Sequence, residues 1–187
     1  MNKLNVFVCE NYSPEFKKVA QNHGFDDIMI KPFFSMCENK KKKVDNLKLL
    51  QESIDNGYEG LVFCSNYCDI IKLIPKAVPF QIRSTNYCCS HIASEEIIND
   101  IIEKGGYIIG SGWLNSWRDH IENGGFDQAT ARLFYQEFCR ELVFFDAGID
   151  TRVEEKLLAL SQFLELPYVI IPLEIEALST QIIMKNY

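Results

Sequence analysis

No stretch of the chain approaches the ~18 to 20 apolar residues that a membrane span requires. The opening residues, MNKLNVFVCENYSPE, turn polar too soon for a secretory signal and read instead as a strand. Basic charge is scarce as well. Lys and Arg number 19 against 26 Asp and Glu, which leaves a net charge of -7. The one basic run, Lys40 to Lys43, reads as a solvated helix start. A phosphate-binding face needs clustered cations, so neither nucleic acid nor a membrane is an expected partner. Gly110-Ser111-Gly112 follows a strand-like run, but no third glycine comes at dinucleotide spacing and no acidic ribose partner can be placed. Repeats, linkers and low-complexity segments are missing too. These absences leave a cytoplasmic protein, 1-187 forming a single α/β domain, as the expectation.

What is present is a regular alternation. Short apolar runs (Asn5 to Val8, Asp27 to Lys31, Leu61 to Cys64, Phe80 to Arg83, Tyr107 to Ile109, Leu142 to Phe145, Tyr168 to Ile171) read as strands. Between most of them lie amphipathic stretches with helix signals. Ser13-Pro14-Glu15, Ser94-Glu95-Glu96 and Asp127 read as starts, and Gly24, Asn56-Gly57, Gly105-Gly106 and Gly124-Gly125 as stops. Pro32 is expected to stop the second strand. Val44, Leu47, Leu50 and Ile54, then Ile97, Ile98, Ile101 and Ile102, then Leu133, Phe134 and Phe138, are expected to face inward. Val153, Leu157, Leu160 and Leu164 mark a later helix, and the tail from Glu174 to Lys185 reads as helical. Continuous apolar strands separated by amphipathic helices predict a doubly wound, mostly parallel sheet with helices on both faces.

Seven cysteines in a reducing compartment are not expected to pair as disulfides. Three strand ends carry them. The first strand runs into Cys9, the third is followed by Cys64 and Cys68, and the fourth by Cys88-Cys89. In the strand order 2-1-3-4-5 these strands lie side by side, and the switch point where such folds bind ligands falls between the first and third. Neighbouring strands are ~4.8 Å apart, and thiolates on one tetrahedral metal would stand about 3.8 Å apart at metal-sulfur bonds of ~2.3 Å. Cys9, Cys68 and Cys88 are therefore the candidate metal ligands, with zinc or an iron-sulfur cluster as the soft cofactor. Cys64, Cys89 or His91 could replace or join them. Cys37 and Cys139 read as core fillers, since cysteine is often simply buried.

Gly110, Ser111, Gly112 and Trp113 are the second candidate site, a tight strand-to-helix turn that brings Trp113 and Trp117 to the same sheet edge. The tryptophans read either as core or as the wall of a planar cofactor. His120 stands in a sequence near the corrinoid-ligand pattern Asp-x-His-x-x-Gly, but Asp119 is adjacent to it, which excludes that match. Asp146, at another strand end, either orients a ligand or caps a turn.

GGYIIGSGWLNSW (Gly105 to Trp117), VFCSNYCD and NYCCSHIAS, with ELVFFDAGID (Glu141 to Asp150), resemble the family catalogued as domain of unknown function sixteen thirty-eight. Its members show a thiol after the first strand, a Tyr-Gly-x-Cys-Gly element, a Pro-Arg-x-x-Asp-Cys element and a Gly-Thr-Tyr-Tyr-Leu-Thr-Pro-Gly-Trp element. Cys9, Cys68, Cys88 and Gly112-Trp113 keep this pattern, whereas Asn66, Asp69 and Tyr87 depart from it. The resemblance implies a cytoplasmic protein of anaerobes, with relatives often encoded near corrinoid-dependent methyltransferases of one-carbon metabolism. The partners it implies are a small molecule or metallocofactor, and a corrinoid protein or methyltransferase.

Three functions follow as expectations. The first is a metal- or cluster-binding accessory protein with a three-cysteine site. The second is a non-catalytic small-molecule or corrinoid-binding module. The third is a metal-free thiol enzyme, weakened because no histidine is spaced to serve as its base.

Overall fold

The computed structural model describes residues 4–37, 40–75, 80–175 and Leu178. Seven strands fall where the apolar runs lie: β1 (Leu4–Cys9), β2 (Ile28–Phe33), β3 (Glu59–Ser65), β4 (Phe80–Thr85), β5 (Gly106–Ile109), β6 (Glu141–Asp146) and β7 (Tyr168–Pro172). The helices between them are α1 (Ser13–Asn22), α2 (Lys43–Asp55), α3 (Glu95–Glu103), α4 (Ser111–Asn115), α5 (Trp117–Asn123), α6 (Gln128–Phe138) and α7 (Val153–Leu164). All strand pairs are parallel, so the class is α/β as the sequence implies. The order β2-β1-β3-β4 holds for the first four strands.

The fifth strand departs from expectation. Instead of extending that sheet, β5 begins a second one, ordered β5-β6-β7. The two sheets share a core. Val6, Val8, Leu61 and Phe63 on one face of the first sheet meet Val143 and Phe145 of β6, with Phe16 and Val19 of α1 and Ile98 and Ile101 of α3 filling the layer. On the outer face of the first sheet, Phe7, Cys9, Val62 and Cys64 pack with Leu50 of α2. Leu142 and Phe144 of β6 pack outward against α4 to α7. β1, β3 and β6 are buried on both faces, which explains why their sequences are mostly continuous apolar runs, whereas β4 and β7, outer strands of the two sheets, stay partly exposed.

Several local expectations change. Pro32 does not end β2, which continues through it to Phe33. Among the described residues the strand pairs only with β1, and an edge strand tolerates a residue with no N–H to donate. Ser13 is the first residue of α1, and no side chain caps that helix. Ser94 and Asp127 do cap theirs, accepting the amides of Ile97 and Thr130. On α2 the buried face is Asn46, Leu50 and Ser53, leaving Val44 and Leu47 exposed. On α3, Ile98 and Ile101 are buried while Ile97 and Ile102 remain exposed. On α6, Leu133 is 72% exposed and Phe134 and Phe138 are also on the surface; Ala131 and Tyr135 face the core. In each helix a stripe drawn from apolar residues alone came out rotated or too wide, because a small or polar residue took part of the buried face. The tail read as helical lies almost wholly outside the described residues.

Candidate functional site: a rim of thiols

Each of the four strands in the first sheet delivers a cysteine at or just beyond its carboxyl end. Cys9 closes β1, Cys37 follows β2, Cys68 follows β3 and Cys88 follows β4. Three of them open 3-10 turns. Cys9 precedes the turn Glu10–Tyr12, Cys68 precedes Asp69–Leu73, and Cys88 starts Cys88–His91. The Cys9 sulfur accepts the Asn11 amide and the Cys68 sulfur accepts the Ile70 amide, so both thiols are oriented by the backbone that follows them.

The thiols act on one another. Burial pushes the Cys9 thiol well above its ordinary range, and Cys88, Cys37 and Cys68 add to that in the same direction. Cys68 is pushed up to about 11, by burial first and then by Cys88, Cys37 and Asp69. Cys64, inside β3, is pushed up to about 12 by burial and by Cys68 and Cys88. Cys88 belongs to a strand one removed from β1, yet it is the thiol that acts most strongly on Cys9. Its 3-10 turn packs against β3 and brings it back toward the sheet centre.

Proximity is not coordination. Among the described residues, no group of three or more His, Cys, Asp or Glu side chains is placed to hold a metal ion. Cys9, Cys68 and Cys88 share the rim without closing on one point, so the tetrahedral set expected from strand spacing is not formed. The reason is local. Cys9 is buried as the last paired residue of β1, whereas Cys68 and Cys88 are half-buried on separate turns beyond their strands.

The alternatives to those three are accounted for. Cys64 is a core residue. Cys89 is buried and pushed up to about 12 by burial and Cys88, and its sulfur takes a hydrogen bond from the Tyr12 hydroxyl. His91 lies inside instead of on the surface, with Nε2 3.0 Å from the Cys64 carbonyl oxygen and its ring edge-on to Phe63. Cys139 is buried and donates to the Tyr135 carbonyl. Cys37, read as a core filler, is exposed, with its sulfur 3.1 Å from the Ser35 hydroxyl. Asp146 holds the Gly148 amide at 2.8 Å, a turn cap. A cavity of about 330 Å³ adjoins Cys88 and Cys89, walled by Tyr12, Asn86, Tyr87 and Tyr107.

The turn Gly110-Ser111-Gly112-Trp113 is a packing element. A Cβ on Gly110 would stand 2.3 Å from the Asn11 carbonyl oxygen, and one on Gly112 2.0 Å from that of Glu10. The glycines thus let α4 lie directly on the 3-10 turn after Cys9. Ser111 is buried and its amide donates to Glu15. Trp113 is 4% exposed and stacked on His120, and Trp117 is 6% exposed. Enclosed like this, they have no wall to offer a planar cofactor.

Two residues missed in the sequence hold the rim together. Glu10 Oε1 accepts the Ser35 amide at 2.8 Å, which ties the turn carrying Cys37 to the residue after Cys9. Asn46 grips the same turn from α2, accepting the Phe34 amide at 2.8 Å and donating to the Phe34 carbonyl at 3.0 Å. The signal for Cys37 was present: a thiol shortly after a strand, as in the other three. The usual burial of cysteine favoured the core-filler reading instead.

Fold and site together define a parallel α/β protein with a four-thiol rim at the carboxyl edge of one sheet. No family model matches the chain, and no curated protein or solved structure matches it significantly.

Proposed function

We propose that the rim binds a thiolate-held iron-sulfur cluster through Cys9, Cys68 and Cys88, and that the protein is an accessory of electron or methyl transfer. The observation that carries this reading is one of placement: Cys9, Cys68 and Cys88 stand at or just past the carboxyl ends of β1, β3 and β4, which lie side by side in one parallel sheet. Thiolate is the form that binds a metal, so soft cationic iron would take the place of the protons that these buried thiols hold. A single zinc ion draws its ligands onto one centre, and the described residues do not converge that far. A polynuclear cluster is wider and takes its thiolates from further apart.

A nucleophilic thiol enzyme is less well supported. Such an enzyme needs a depressed thiol, whereas Cys9, Cys68, Cys64 and Cys89 are all pushed upward. The family resemblance adds a setting: a corrinoid protein or methyltransferase as partner in one-carbon metabolism. The cavity beside Cys88 is of a size to admit a small molecule.

Anaerobic purification followed by iron, zinc and acid-labile sulfide analysis tests the proposal. Iron and sulfide in equal amounts, lost on Cys68→Ser, are the expected result. Stoichiometric zinc without sulfide, or metal content unchanged in Cys68→Ser, overturns it.

A further inference from the structure

We infer that the cavity at the carboxyl ends of β6 and β7 binds a small amine with an apolar body, the body lying inside and the cationic end at the mouth. The cavity measures about 490 Å³ and opens where the 3-10 turn Cys88–His91 and the start of α3 face the second sheet. Small-molecule sites are commonly clefts of roughly 300 to 1,000 Å³. Parallel sheets bind their ligands beyond the carboxyl ends of the strands. The cavity is separate from the thiol rim and does not depend on a cluster there.

Depth sorts its lining. Phe145 of β6, Ile92 and His91 are buried and form the floor. The His91 ring is fixed in place, Nε2 donating to the Cys64 carbonyl oxygen at 3.0 Å. Ile97, Ile171 and Leu173 make apolar walls. Ile97 is 46% exposed although it belongs to the apolar stripe of α3, because what it borders is a cavity. An apolar group seated there would take Ile97 out of water and complete the stripe.

The mouth sets the charge. Glu95 and Glu174 line it and are exposed, and among the described lining residues there is no Lys or Arg. The Asn86 amide donates to Glu95 Oε2 at 3.2 Å and steadies that carboxylate. The N-terminus of α3 opposes them with roughly half a positive charge, and its Ile97 amide is already taken by Ser94. Two full negative charges outweigh it, and Glu96 in the same first turn adds to them. An anion is repelled here and a cation is held.

The test titrates the full chain with phenethylamine, phenethyl alcohol and hydrocinnamate, three probes alike in body and different in charge, followed by backbone amide NMR. Phenethylamine is expected to bind with a Kd of about 1 mM, the scale for a ligand of its size, and to shift Ile92, Ile97, Phe145, Ile171 and Leu173. The alcohol should bind about fivefold more weakly, and the carboxylate more weakly still. Glu95→Gln combined with Glu174→Gln, both on the surface, should lower the amine to the affinity of the alcohol. Ala93→Phe should fill the cavity and abolish the shifts. Circular dichroism checks its folding, and the two glutamine substitutions decide the matter where that variant does not fold. Shifts that are absent, or centred elsewhere such as beside Cys88, overturn the site. A carboxylate bound as tightly as the amine, or an amine affinity unmoved by the glutamine substitutions, overturns the ligand class.

Discussion

Glu15 and Ser111 meet across 96 residues of sequence, the Ser111 amide donating to Glu15 Oε1 at 2.9 Å. Glu15 is fully buried, and among the described residues its other oxygen, Oε2, has no hydrogen-bond partner. Burial raises this carboxyl to about 7, although Ser111 favours the ionised form.

The sign of the consequence follows from linkage. Between the ordinary carboxylate range and pH 7 the folded chain keeps a proton that the unfolded chain has released. Stability due to this group is therefore present at low pH and falls as pH rises toward 7. The full effect is about 3 kcal/mol above that pH. Glu15→Gln removes the ionisation but leaves an unpartnered amide, so we expect a gain of about 2 kcal/mol at pH 8 and little change at pH 5. Denaturant titrations at both pH values measure it. A loss at pH 8 would mean that the buried carboxylate is accommodated at no cost.

Gly112→Ala is expected to cost about 3 kcal/mol. Its new methyl group would meet the Glu10 carbonyl, a backbone atom that cannot swing aside as a flexible side chain can. In contrast, Gly125 has no atom within 4 Å of a built Cβ but has φ +82. Its substitution would strain the backbone without separating any elements. The distinguishing measurement is hydrogen exchange. Gly112→Ala should deprotect the turn at 10–12 and α4 together, whereas Gly125→Ala should act only between α5 and α6.

Alkylation by iodoacetamide at pH 8 should modify Cys37 first. It is the exposed rim thiol, while Cys68 is half-buried and held protonated by a value near 11. Cys9 and Cys64 should resist until the chain unfolds, and the difference from Cys37 should be at least about 100-fold. Peptide mapping over time reads the order. A Cys68 that reacts as fast as Cys37 would contradict the environment described for it and revive the thiol-enzyme alternative.

The fold class was legible because strands buried on both faces must be apolar throughout, and helix signals such as Ser94 and Asp127 are local chemistry. Three of the rim thiols were legible for the same reason: each stands at or just past the end of such a run. What escaped depended on partners distant in sequence. Nothing near Tyr107 says that β5 founds a new sheet; that follows from α4 docking on the turn after β1, which the glycines at 110 and 112 permit. The outward turn of Leu133 and Phe138 follows from Ala131 and Tyr135 taking the inner face, a choice made by what packs against them. Cys37 was read as a core filler because cysteine is usually buried, and only the fold shows it exposed at the rim.

The four rim thiols are set on four different strand ends and the turns that follow them. In an unfolded chain they lie on separate stretches of sequence, with nothing to hold them near one another. They become neighbours only when β1 to β4 have paired, so the rim exists only once this half of the molecule is complete.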